Sequence, residues 1–185
     1  VGCTQDIVVK KDNLFSEGVV AVSDLGDINY MNPEGEVGIK TDYANAFNFS
    51  GGLSLVQKND KWGYIDTEGK VVIEPKYENA KSFSENLAAI KIDEKWGFID
   101  KEGKIVIEPK FDSTFSFKDN ITAIQIEDKW GYINSDGEKF IDEKYTRAFI
   151  FSEGLALVQK NDKWGYIDKK GKEVIELKYD NAKSF

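Results

Sequence analysis

Four tryptophans, Trp62, Trp96, Trp130 and Trp164, stand 34 residues apart, each inside the phrase Lys-Trp-Gly-aromatic-Ile-Asp/Asn. A second marker keeps the same step: Phe15, Phe49, Phe83, Phe117, Phe151 and Phe185, without one inserted or deleted residue. A period this strict defines a tandem array, in which each unit buries its apolar face against its neighbours. The 185 residues therefore count as one cooperative domain.

Set in register, the repeats read as columns. Leu53-Ser54-Leu55-Val56-Gln57-Lys58 recurs as Leu87–Ile92, Ile121–Ile126 and Leu155–Lys160, each followed by two polar residues such as Asn59-Asp60 and then by the Trp-Gly segment. That is a strand, a tight hairpin and a second strand. Gly69, Gly103, Gly137 and Gly171 recur just before a third apolar segment, Val71-Val72-Ile73 in the guide unit. A glycine fixed at that place predicts a positive φ closing a bulged hairpin. A connector follows, through Pro75 or Pro109, with room for a short fourth strand. A period of 34 also suits helix pairs, but the apolar residues here alternate or run in blocks of three to five rich in Val, Ile, Tyr, Phe and Trp, which is strand chemistry.

The expected fold is all-β: tandem 34-residue repeats, each a three-stranded antiparallel meander, stacked as an open, solenoid-like array, with a propeller-like ring as the alternative. Trp and Tyr of the Trp-Gly-Tyr-Ile strand face one side, Gly and Ile the other, so both faces need cover and consecutive sheets must stack. The glycine beside Trp is expected to make room for a neighbouring side chain. Residues 1–48 form a degenerate, capping part, with Ile28 in the tryptophan column, and 49–185 the regular repeats; the array is expected to continue beyond both ends.

Lys plus Arg number 25 against 33 Asp plus Glu, a net charge of −8, which repels nucleic acid and anionic lipid. Cys3 is the single cysteine and histidine is absent, which rules out an internal disulfide, a Cys-His pair or a zinc site within the chain. Val1-Gly2-Cys3 resembles the end of a bacterial lipoprotein signal. Cys3 is thus either a lipid anchor, placing the protein at the cell envelope, or an incidental thiol on a cytoplasmic protein.

The phrases Lys61-Trp62-Gly63-Tyr64-Ile65-Asp66, Gly69, Pro75-Lys76-Tyr77 and Phe83-Ser84-Glu85, with their counterparts from Phe151 to Lys172, resemble the WG-repeat family of β-rich bacterial tandem repeats. The resemblance implies a binding or scaffold module and brings no catalytic residues.

The Asp66–Gly69 turn superficially suggests calcium, but Asp168-Lys169-Lys170-Gly171 puts two cations in the same place, so hairpin chemistry is the reading. The tryptophans read as core. The partner-binding candidates are then the connector columns: Lys76 and Tyr77, Lys110 and Phe111, Lys144 and Tyr145, Lys178 and Tyr179. No cofactor, metal or enzymatic activity is expected, because every acid belongs to a repeating column or a turn. The functional expectation is an interaction scaffold for a protein or extended polymer. Two alternatives are a glycan-binding lipoprotein and the accessory region of a larger enzyme.

Overall fold

The computed structural model describes residues 17–24 and 27–183. Cys3 and the markers Phe15 and Phe185 lie outside the described residues. The first sheet is β1 (Val20–Asp24), β2 (Asp27–Met31) and β3 (Val37–Lys40). The second is β4 (Asn45–Ala46), β5 (Leu53–Lys58), β6 (Lys61–Asp66) and β7 (Val71–Tyr77). The third is β8 (Asn79–Ala80), β9 (Ala88–Ile92), β10 (Lys95–Ile99) and β11 (Ile105–Phe111). The fourth holds β12 (Ser113–Thr114), β13 (Ile121–Ile126), β14 (Lys129–Asn134) and β15 (Lys139–Tyr145). The fifth holds β16 (Arg147–Ala148), β17 (Leu155–Lys160), β18 (Lys163–Asp168) and β19 (Glu173–Tyr179). Each sheet is an antiparallel meander in chain order. The regular sheets add to the expected three strands a two-residue fourth, supplied by the connector.

The turns follow from residue chemistry. Asn59-Asp60, Asp93-Glu94, Glu127-Asp128 and Asn161-Asp162 all have positive φ at both positions, the mark of two-residue hairpins whose twist matches the strands. Asp66 Oδ1 accepts from Glu68 N at 3.0 Å and Lys70 N at 2.8 Å, while Gly69 takes a φ of +82°. The carboxylate is spent on backbone amides, the hairpin role read from the sequence. A side chain at Gly69 would also come within 2.7 Å of Ile39, and one at Gly103 within 3.3 Å of Ile73, so each such turn packs on the preceding sheet.

Gly63 has a different reason, and the expectation for it is corrected. A Cβ there would lie 2.5 Å from Ile73 O and 2.6 Å from Pro75 N. The glycine admits the backbone of the next strand in its own sheet, rather than a side chain from a neighbouring repeat. Pairing jumps from Trp62↔Tyr77 to Tyr64↔Ile73, so β7 bulges over Gly63 and Pro75 sits in the bulge, where its missing N–H leaves no gap in the ladder.

The sheets stack face on face. One face of the second sheet, with Leu55, Tyr64, Ile73 and Tyr77, meets Ala80, Ala88, Ile90 and Ile99 of the third, and marker Phe83 fills the junction at 2% exposure. The same pairing joins Phe98 and Phe111 to Ile124 and Ile133. Each large apolar side chain so buried contributes about 1.5–3 kcal/mol. The degenerate first unit keeps this scheme: Tyr30 is fully buried and packs with Phe49, Val56 and Ile65. Among the described residues the array is open, since Tyr179 is 46% exposed where Tyr77 is at 3% and Phe111 and Tyr145 at 2%.

Candidate functional site

The residue after each short strand is held on the tryptophan-bearing face by a backbone bond to the neighbouring strand: Phe47 N to Leu55 O at 3.0 Å, Lys81 N to Ala89 O at 2.9 Å, Phe149 N to Leu157 O at 3.1 Å. It therefore meets the tryptophan of its own sheet. Phe47 lies 5.9 Å from Trp62, Phe115 5.4 Å from Trp130 and Phe149 6.2 Å from Trp164, between ring centroids. In the third sheet the partner is a cation, the Lys81 ammonium, 5.4 Å from the Trp96 ring. The tryptophans are half-buried, while Phe47 and Phe149 are exposed. The result is an aromatic margin along one side of the stack.

This margin changes the sequence expectation. The tryptophans pack against the core without entering it, and the fully buried ring of the motif is the next aromatic, Tyr64, Phe98 or Tyr132. The connector aromatics do the reverse: Tyr77, Phe111 and Tyr145 are buried between sheets and are corrected from partner contacts to packing residues, leaving Tyr179 alone of the four exposed. The reason is strand alternation: Tyr77 lies four residues after buried Ile73, the double bulge between them keeps that parity, and the same holds for Phe111 after Ile107 and Tyr145 after Ile141, so these pairs share the inward face. Lys76, Lys110, Lys144 and Lys178 stay on the surface with the ammonium 5.3–5.7 Å from the adjoining ring. Lys76 and Tyr77 do line a shallow cleft of about 310 Å³ with Ile92 and Ile105. Of the lysines that precede the tryptophans, Lys95 pairs with Asp112 and Lys163 with Asp180; exposed pairs of this kind contribute little.

Behind the margin runs a row of buried hydroxyls. Tyr64 Oη donates to Lys81 O and Tyr132 Oη to Phe149 O, each at 2.8 Å, and Tyr30 Oη to Phe47 O at 3.1 Å. Burial raises the pKa of all three tyrosines, with the hydrogen bond to Ser54 a smaller opposing effect at Tyr30. Phe98 has no hydroxyl, and there Thr122 Oγ1 donates to Phe115 O at 2.9 Å instead. Thr122 occupies a column held by Ala88 and Ala156 in the flanking repeats.

A cleft of about 410 Å³ opens on the margin between the third and fourth sheets and is lined by Lys81, Ser84, Glu85, Phe115, Lys118 and Ile150, among others. Reading the sequence by columns passes over it, because columns favour residues that repeat. The available signal is the opposite: Lys81 stands where Phe47, Phe115 and Phe149 stand in three other repeats and Lys183 in the last, Lys118 where Ser50, Ser84 and Ser152 stand, and Ile150 where Asn48, Ser82 and Ser116 stand. Among the described residues no group of three or more His, Cys, Asp or Glu side chains could hold a metal ion, and no helix is long and apolar enough to cross a membrane.

No curated protein matches the chain. Among solved structures it is similar to Hsv2 of Kluyveromyces lactis, with a TM-score of 0.56 at 8% identity, covering 85% of this chain and 58% of that one. Hsv2 of Kluyveromyces marxianus gives a TM-score of 0.52 at 13% identity, covering 82% of this chain and 60% of that one. The chain thus spans less than two thirds of either protein, and at such identities the likeness is one of fold. The family model described as "WG containing repeat" matches residues 30–62, 62–96, 96–130, 130–164 and 164–185 in tandem. With Trp62, Trp96, Trp130 and Trp164 each at a junction of two matches, the chain belongs to the WG-containing repeat family.

Proposed function

We propose that this chain is a non-enzymatic interaction scaffold that engages a protein partner along its aromatic margin. The observation that carries this reading is the set of half-exposed rings, Phe47 with Trp62, Phe115 with Trp130 and Phe149 with Trp164, at one place in the second, fourth and fifth sheets, with the Lys81 ammonium over Trp96 at that place in the third. Aromatic rings exposed beside a rigid framework are the residues from which protein interfaces draw most of their energy. The carboxylates that a hydrolase would need in one cleft are instead engaged in turns, as at Asp66, Asp100 and Asp168.

The test is affinity capture with the chain and with margin variants Trp130→Ala and Phe149→Ser, each checked for folding by circular dichroism. The reading expects a defined partner retained by the native chain and lost by both variants. Retention by both would refute it. A second reading, glycan binding, draws on the same half-exposed tryptophan faces, which suit stacking on sugar rings. A pull-down on purified peptidoglycan and common polysaccharides separates the two, because a clean negative removes the glycan reading.

A further inference from the structure

We infer that the cleft between the third and fourth sheets is a recognition pocket for a peptide segment that carries a carboxylate beside a large apolar side chain. The inference rests on the protein-binding reading above and names the chemistry of the partner's contact. Lys118 and Ile150, which differ from the Ser and Asn residues at their places in the neighbouring repeats, line this one cleft together with Lys81, whose column is otherwise Phe47, Phe115 and Phe149 and returns to lysine at Lys183. Departures that served nothing would fall independently around the array.

Lys81 is the centre of the argument. It is half-buried, its ammonium donates to Thr114 O at 2.6 Å, and it sits 5.4 Å from the Trp96 ring and 5.6 Å from the Phe115 ring. An ammonium has three donors, so two remain after Thr114. Among the described residues no carboxylate pairs with it, and burial alone displaces its pKa, downward. A desolvated cation without a counter-charge is unfavourable in the free protein, and an arriving carboxylate removes that penalty.

The cleft's own acid does not supply the counter-charge. Glu85 Oε1 accepts from Asp119 N at 2.6 Å and its Oε2 from Asn120 N at 2.7 Å, so both oxygens are committed to the turn of the next repeat. Lys118 adds a second ammonium at the rim, without an ion pair among the described residues. The rest of the wall is Ser84 and Ser116 with an apolar part, the rings of Phe115 and Phe117 and then Ile150 at 38% exposure, which stands beside Phe149 at 37%. A volume of about 410 Å³ falls within the roughly 300–1,000 Å³ typical of ligand pockets.

A peptide fits these observations better than an anionic polysaccharide. A polymer with a charge on every unit meets two cations here and a net charge of −8 over the chain as a whole. A branched aliphatic side chain such as Ile150 gives a peptide side chain its complement but offers a sugar no flat stacking surface.

The experiment uses the whole chain, labelled at isoleucine methyl groups, titrated with short peptides containing Glu flanked by Phe or Leu. Controls are Gln isosteres, peptides with Ser in place of the apolar residue, an oligogalacturonate and inorganic phosphate. The expected result is a shift of the Ile150 methyl with the Glu-Phe or Glu-Leu peptides, weakened at least about 10-fold by the Gln isostere, as loss of a charge-assisted hydrogen bond implies. Lys81→Phe installs the residue that Phe47, Phe115 and Phe149 hold in other repeats, so it keeps the fold, and it is expected to weaken binding at least about 10-fold. Lys118→Ser, also a residue of its own column, is expected to weaken it less.

No peptide response, equal binding by Lys81→Phe, or a response to oligogalacturonate or phosphate in place of the peptides would each overturn the inference. If the peptides fail while Trp130→Ala still abolishes partner capture, the pocket assignment falls and the scaffold reading stands. If neither responds, both fall.

Discussion

Phe98 and Thr122 make a test of how the stack satisfies its buried groups. Removing the hydroxyl with Thr122→Ala leaves Phe115 O without its 2.9 Å donor. Thr114 Oγ1 stands 3.2 Å from that carbonyl, but it has a nearer acceptor in Ala123 O at 3.0 Å, so rescue requires giving up one bond for another. An unsatisfied buried acceptor costs about 1–3 kcal/mol, and with Thr114 as a partial substitute the expected loss is about 1.5 kcal/mol. Phe98→Tyr in that background places a hydroxyl where Tyr64 and Tyr132 already reach the equivalent carbonyl at 2.8 Å, and it restores most of the loss. Phe98→Tyr alone is near neutral, because Phe47 O already accepts from both Tyr30 and Ser54. The assay is a double-mutant cycle by urea unfolding, with an expected coupling of about 1 kcal/mol. If Thr122→Ala costs the same with Phe98 in place as in the Phe98→Tyr background, the reasoning is refuted.

Three further outcomes follow from the geometry. Gly131→Ala drives a Cβ to 2.5 Å from Ile141 O and 2.9 Å from Glu143 N, backbone atoms that cannot yield, and is expected to lower stability by about 3 kcal/mol or more. Gly154, at φ +83° with nothing within 4 Å, should lose only about 1–2 kcal/mol on substitution by Ala, and still less by Asn, which Asn86 and Asn120 show in the same column at φ +68° and +59°; thermal unfolding of both variants checks this contrast. Tyr64 and Tyr132, which burial keeps protonated well above the ordinary tyrosine range, make the largest contributions to the loss of stability at alkaline pH, with Tyr30, Tyr77 and Tyr145 raised in the same direction. Below about pH 10 folded and unfolded chains are protonated alike; above it the unfolded chain releases protons that the fold retains, and stability falls by about 1.4 kcal/mol per pH unit for each such tyrosine. Tyrosinate absorbance and circular dichroism should therefore change together, and Tyr64→Phe should flatten the pH slope; an unchanged slope would contradict the burial of Tyr64.

The meander, its turns and its stacking were legible in the sequence because each rests on residues that repeat: alternating apolar segments, paired turn residues at Asn59-Asp60, a glycine at 69, 103, 137 and 171. Two things were not legible. The Trp-Gly glycine looks like a small residue facing a neighbouring repeat, and only the jump in pairing between Trp62↔Tyr77 and Tyr64↔Ile73 shows that its own sheet's backbone passes over it. The inward placement of Tyr77, Phe111 and Tyr145 follows plain alternation, since each lies four residues after a buried isoleucine, Ile73, Ile107 or Ile141; it is hidden when the third strand is ended at that isoleucine and Pro75 or Pro109 is read as the start of a connector. The cleft was hidden for another reason, since column averages discard departures such as Lys81 and Lys118 as noise.

The claim that joins fold to function is that the tryptophan margin faces solvent while the connector aromatics lie between sheets. Hydroxyl-radical footprinting with residue-level mass spectrometry measures it directly. The account predicts labelling of Phe47, Phe149, Tyr179 and the four tryptophans, protection of Tyr77, Phe111 and Tyr145, and loss of the margin's labelling when a partner is bound. Tyr77, Phe111 and Tyr145 labelling as fast as Tyr179, with the tryptophans protected in the free protein, would contradict it.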